Sequence, residues 1–152
     1  MRILTDTNLL LRLSEPAHSL HQTVIDATDQ LRAAGHDLVI VPQCLYEFWS
    51  VSTRTKEANG LGRSIAETQA HIARLTRLFT LLRDERAVFE QWQQLVATYQ
   101  VAGVKAHDTR LVAAMVRHQL THLLTFNGGD FRRYTEVTVV VPQELLSGKT
   151  VL

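Results

Sequence analysis

Four acids, Asp6, Glu47, Asp108 and Asp130, are scattered along the chain yet occupy one kind of place in it. Asp6 closes a short apolar run through Ile3 and Leu4, and Asp130 follows the run His122 to Phe126 across an Asn127-Gly128-Gly129 turn. Glu47 falls in the first turns of a helical pattern, and Asp108 stands at the start of another. In a parallel sheet with helical crossovers, strand ends and the starts of the following helices share one edge, where ligands bind. Carboxylates gathered there repel one another and raise each other's pKa, so the cluster calls for a cation. Hard oxygen donors favour Mg²⁺ or Mn²⁺ over zinc. Each acid alone also has an ordinary reading as a helix cap or solvated residue, and Asp6 stands where it could cap the helix that Leu9, Leu10 and Leu11 continue.

The elements that must position these acids follow from apolar periodicity. Strands are predicted at Ile3–Leu4, at Asp37 to Val41 with Pro42 closing it, at Leu78 to Leu82, at His122 to Phe126, and at Val137 to Val141 before Pro142. Helices are predicted after Asp6, over Ser19 to Ala34 with Gly35 as its C-cap, over Gln43 to Arg54, from Ser64, from Asp84, and over His107 to His118. Ser64 and Glu67 form a capping box, with Ile65, Ile72, Leu75 and Phe79 as the buried stripe behind it. Thr55 to Arg63 is a turn-rich connection through Asn59-Gly60-Leu61-Gly62. Alternating strands and helices predict an α/β fold, a three-layer α/β/α sandwich around a mostly parallel sheet of about five strands. We read 1–152 as a single domain with its core over about 2–142 and a loosely held C-terminal tail. Trp49 and Trp92 lie on apolar stripes and are expected to anchor the core.

Composition narrows the class. An apolar fraction of 45% and a charged fraction of 20% describe an ordinary globular protein and exclude a disordered or fibrous one. There is no leader pattern and no apolar run long enough to span a bilayer, so a soluble, cytoplasmic protein is expected. The single cysteine, Cys44, allows no internal disulfide and is read as a small buried hydrophobe. Net charge is +1, but setting aside the four candidate acids leaves eleven acids against sixteen bases. An acidic pit in a mildly basic surround suits a metal-dependent enzyme acting on a polyanion. The seven histidines show no zinc-like pattern with cysteine.

Taken together, Leu4 to Leu10, Tyr46-Glu47-Phe48-Trp49, His107 to Ala114 and Leu124 to Phe131 resemble the four motifs of PIN-domain ribonucleases. Many small bacterial members of that family are VapC-like toxins of toxin–antitoxin pairs. The resemblance runs from Ile3 to about Pro142, and it is the order and spacing of the motifs that make it specific. It implies a Mg²⁺- or Mn²⁺-dependent endoribonuclease cutting RNA to a 3′-hydroxyl and a 5′-phosphate. It places the acidic set on Asp6, Glu47 and Asp108, with the first and last as direct ligands and Glu47 as ligand or orienter of the attacking water. Thr7, Asn8 and Thr125 would hold those carboxylates in place. Many members carry an acid two residues after the threonine, where this chain has Asn127. Asn127 would then ligate through its carbonyl or hold a metal-bound water, and Asp130 would supply the missing charge, leaving both one-ion and two-ion sites open. The resemblance also implies a homodimer and a small antitoxin whose segment covers the site.

Arg54, Lys56 and Arg63 around the turn-rich connection, and Arg132 and Arg133 after the last acidic turn, are candidates for holding substrate phosphates. Arg74 and Arg77 share a helix face and are candidates of the same kind. Two rivals stand beside the nuclease reading. A receiver-type signalling domain also gathers acids around Mg²⁺, but it wants paired acids after its first strand and a lysine near its last. A PIN-like fold without strong activity would be an RNA- or protein-binding module, and Asn127 keeps that alternative open.

Overall fold

The computed structural model describes residues 1–152. Its first half runs β1 (Arg2–Thr5), α1 (Thr7–Leu13), α2 (His21–Ala33), β2 (Asp37–Ile40), α3 (Pro42–Thr53), a 3₁₀ turn (Lys56–Ala58), α4 (Ile65–Leu78) and β3 (Thr80–Leu81). The second half runs α5 (Arg86–Thr98), α6 (Lys105–Arg117), β4 (His122–Leu124), α7 (Gly128–Phe131), β5 (Thr138–Val140) and α8 (Pro142–Leu146). All strand pairs are parallel and the sheet order is β3-β2-β1-β4-β5. Ile3 sits opposite both Leu38 and His122, which puts β1 at the centre.

Strand direction of travel reverses at β1, since β2 and β3 lie to one side of it and β4 and β5 to the other. Right-handed crossovers then send α1 to α4 over one face and α5 and α6 over the opposite face, which is the expected three-layer sandwich. Coverage on both sides explains why β1 and β2 read as continuous apolar runs: Ile3, Leu4, Val39 and Ile40 are fully buried. The core extends from Ile3 to Leu145, with Leu9, Leu10, Phe48, Val112, Met115 and Leu123 among its fully buried side chains.

Local chemistry fixes most boundaries. Ser64 accepts from the Glu67 amide while Glu67 accepts from the Ser64 amide, the predicted capping box. Gly35 follows α2 with φ +82°, a conformation open to glycine at little cost.

Several expectations need correction. Pro42 does not close β2; it is the first residue of α3, where its missing amide leaves no intrahelical bond unmade. Helix α6 begins at Lys105, not His107. The glycine-rich turn after β4 contains a helical turn of its own, α7. The C-terminal tail is held: α8 buries Leu145, and the amides of Lys149 and Thr150 donate to the Glu144 carbonyl. Ile65 is 55% exposed because it opens α4 on the outer side, leaving Thr68 and Leu75 to be buried. Trp92 packs against the core and donates Nε1–H to the Ala106 carbonyl. Trp49 instead is half-buried and lines a surface furrow with Leu45, Tyr46, Ile72 and Ala73.

Candidate active site

Asp6 is placed by β1 and held by its neighbours. Its amide donates to the Leu124 carbonyl, which extends the β1–β4 pairing one residue past the strand. Its carboxylate then caps α1, with Oδ1 accepting from the Thr7 amide at 2.7 Å. The opposite oxygen, Oδ2, accepts from the Thr125 hydroxyl at 2.7 Å and from Asn8 Nδ2 at 3.0 Å. Both readings of Asp6 therefore hold at once: it caps a helix, and it stands where the strand order reverses, the crevice position of an open α/β sheet.

Thr125 is the pivot of this arrangement. Fully buried at the end of β4, its hydroxyl donates to Asp6 and accepts from Asn8 Nδ2 and from the Asn127 amide. Asn8 in turn accepts the Phe126 amide. The Thr7 amide and the side chains of Asn8 and Thr125 thus lock the Asp6 carboxylate into one orientation, as expected for groups supporting a ligand.

Glu47 approaches from α3. Its Oε2 accepts from the Thr7 hydroxyl at 2.8 Å, and its Oε1 accepts from Gln43 Nε2 at 2.8 Å. Gln43 also donates to the His107 carbonyl and accepts from Arg110, which pairs with Asp84. A chain of polar contacts therefore ties α3 to the start of α6, where Asp108 lies.

Asp6 feels the charges of both Glu47 and Asp108. Asp6 is only 7% exposed, and its pKa is raised to about 6. Burial is the main cause, opposed by the Thr125 and Thr7 hydrogen bonds and reinforced by the charges of Glu47 and Asp108. Burial also raises the Asp108 pKa; the Lys105 ammonium lowers it, and Asp130 and Glu47 raise it. A buried carboxylate raised by its own kind is an anion without enough positive charge near it. Cys44, fully buried beneath the site with Sγ 3.5 Å from the Thr5 carbonyl, has its thiol pushed up to about 12 by burial. It stays protonated and is no nucleophile.

An open cleft passes over these residues, lined by Asp6, Thr7, Asn8, Glu47, Arg54 and Asn127 among others. Arg54 and exposed Asn127 thus stand on the cleft that Asp6 and Glu47 line, which neither Asp108 nor Asp130 lines. Lys56 lies in the exposed 3₁₀ turn just beyond. Arg132, exposed, lies 4.0 Å from Glu144 of α8, and Arg63 is tied to Ser14 by two hydrogen bonds. Asp130 is drawn to Lys105, its Oδ1 2.6 Å from the ammonium. Two residues of this neighbourhood, Gln43 and Lys105, escaped the sequence reading. Their spacings, four residues before Glu47 and three before Asp108, are helix-face spacings and were the available signal.

The donor set fits a hard divalent cation by its chemistry and by the deficit of positive charge at Asp6. No three acid, histidine or cysteine side chains stand close enough together to grip an ion as they are now held. Glu47 is turned to Thr7 and Gln43, and Asp108 to Lys105.

No protein-family model matches the chain, and no curated protein matches it. Solved structures do. VapBC2 from Rickettsia felis, bound to a DNA fragment from its promoter, superposes with a TM-score of 0.70 at 14% identity, over 93% of this chain and 98% of that one. VapC20 from Mycobacterium tuberculosis, a toxin cleaving the sarcin–ricin loop, gives 0.63 at 18% identity, over 89% and 98%. A toxin–antitoxin complex from Klebsiella pneumoniae gives 0.60 at 21% identity, over 92% and 97%. The likeness establishes that this chain has the PIN-like fold of VapC toxins. The sheet order also sets aside the receiver reading, whose fold runs 2-1-3-4-5 rather than 3-2-1-4-5. No helix is long and apolar enough to cross a membrane.

Proposed function

We propose that this chain is a Mg²⁺- or Mn²⁺-dependent endoribonuclease, the toxin of a toxin–antitoxin pair. The observation that carries the reading is Asp6: a buried carboxylate at the reversal point of the sheet, oriented by three hydrogen bonds and burdened by the charges of Glu47 and Asp108. Asp6 and Asp108 would hold the ion, with Glu47 as a further ligand or as the group that orients the attacking water. When bound, the ion makes a water acidic enough to attack phosphorus and neutralises charge building on the phosphate. Glu47, held by Thr7 and Gln43, would serve to orient that water. Thr125 and Asn8 keep Asp6 from swinging away as charge shifts. Arg54, on the same cleft, would hold a substrate phosphate, with Lys56 as a more distant second cation.

The partners implied are RNA as substrate, a small antitoxin, and a second copy of the chain. The furrow between α3 and α4, where Tyr46 is 64% exposed beside Trp49 and Ile72, offers a protein partner an apolar contact. Complexes with antitoxin or promoter DNA among the structural relatives support an antitoxin partner.

The test is incubation of purified protein with structured and single-stranded RNA, with Mg²⁺ or Mn²⁺ and an EDTA control, beside Asp6→Asn and Asp108→Asn. Metal-dependent cleavage lost in both variants supports the reading. Cleavage that survives both substitutions refutes it. The alternative, a catalytically weak binding module, draws on Asn127 standing where many PIN members carry an acid; absence of Mn²⁺ binding by the folded protein would favour it.

A further inference from the structure

One base stands inside the acidic edge. Lys105 opens α6, and its three-residue offset puts its side chain on the face that carries Asp108. Its Nζ lies 2.6 Å from Asp130 Oδ1 and 3.6 Å from Asp108 Oδ2, so it bridges an acid of α6 to an acid of α7. Of the other cations, Arg110 is engaged with Asp84 and Gln43, while Arg54 lies on the cleft beside Asp6 and Glu47. The neutral Asn127, in the loop that precedes Asp130, further weakens that side of the site for a divalent ion.

We propose that the Lys105 ammonium takes the place of a second divalent cation between Asp108 and Asp130, so that the chain binds a single Mg²⁺ or Mn²⁺ ion, on the side of Asp6, Glu47 and Asp108. This rests on the metal-dependent reading above and settles its stoichiometry. The physical argument is competition. A tethered ammonium is present at high local concentration, while an incoming divalent ion must shed its own water and displace it. Asp130 is in this account not a metal ligand but the counter-ion that holds Lys105 against Asp108. Lys105 is a positioning residue: it fixes the orientation of Asp108, leaving that carboxylate's remaining oxygen for the ion. Removing the ammonium would leave two carboxylates facing one gap, and such a gap recruits a cation.

Mn²⁺ titrations of the full chain, by calorimetry and by electron paramagnetic resonance, test this on wild type, Lys105→Ala and Lys105→Arg. One ion per chain is expected for wild type and for Lys105→Arg, which keeps the charge. Two are expected for Lys105→Ala, with the broadened spectrum of a spin-coupled Mn²⁺ pair. Two ions in wild type, or one in Lys105→Ala, overturn the lysine proposal while leaving the metal-dependent nuclease reading standing. No ion in wild type overturns that reading and the proposal together. A purely structural ion pair would leave the stoichiometry the same in all three proteins.

Discussion

Replacing Asp6 by Asn should stabilise the metal-free protein at alkaline pH and not at acid pH. The rise of the Asp6 pKa from 3.8 to about 6 corresponds to about 3 kcal/mol of folding free energy. Because the folded pKa lies above the unfolded one, the favourable contribution is fully present below the ordinary carboxyl pKa. It is lost as pH rises from 3.8 through about 6, and the folded state carries the whole penalty above that. Asparagine removes the charge but turns one acceptor into a donor. The cheaper orientation keeps the carbonyl oxygen at the Oδ2 position, which receives Asn8 Nδ2 and the Thr125 hydroxyl, and forfeits only the Thr7 amide bond at Oδ1, worth about 1 kcal/mol. The difference leaves Asp6→Asn more stable than wild type by about 2 kcal/mol at pH ~8, and slightly less stable at pH ~4. For a domain of this size that is a rise in Tm of about 4–8 °C at the higher pH. Thermal and urea unfolding in EDTA at the two pH values measure it. A variant destabilised equally at both would show that Asp6 carries no buried-charge penalty, and the case for a cation at this position would lose its footing.

Other consequences can be read from the same contacts. Mn²⁺ should raise the Tm of wild type by mass action and leave Asp6→Asn unmoved, checked by differential scanning fluorimetry across a Mn²⁺ series. Thr125→Val keeps the shape of a fully buried side chain but strips Asp6, Asn8 and the Asn127 amide of a partner; a loss of about 1–3 kcal/mol in urea unfolding is expected, with a fall in metal affinity of about 10–100-fold by calorimetry. Phe48→Ala empties a fully buried position behind Glu47 and should cost about 3–5 kcal/mol by chemical denaturation. Gly60→Ala would bring a Cβ to 2.1 Å from the Arg54 carbonyl oxygen, so the turn must shift. A cost of about 1–3 kcal/mol is expected in unfolding experiments, together with weaker RNA binding if Arg54 holds a phosphate.

Much of the scaffold was legible because it is encoded locally. The apolar runs at Ile3–Leu4 and Leu38–Ile40 form strands as their composition predicts, and Ser64 with Glu67 fixes the start of α4 within three residues of chain. Alternation of these elements was enough for the layered fold, and from the fold came the shared edge on which Asp6, Glu47 and Asp108 stand. Pro42 was misread because proline ends a strand and opens a helix equally well, and only the hydrogen-bond pattern on either side distinguishes the two.

What the sequence determined by itself was therefore which residues lie at the carboxyl edge of the sheet, because periodicity and capping are properties of neighbours in the chain. Which charges meet there was decided by tertiary structure. Lys105 is 25 residues from Asp130 yet pairs with it, and Gln43 reaches His107 and Arg110 across the join of two helices. The energy of an ion pair or hydrogen bond depends on a separation of a few ångströms between elements, and no spacing along the chain carries that distance.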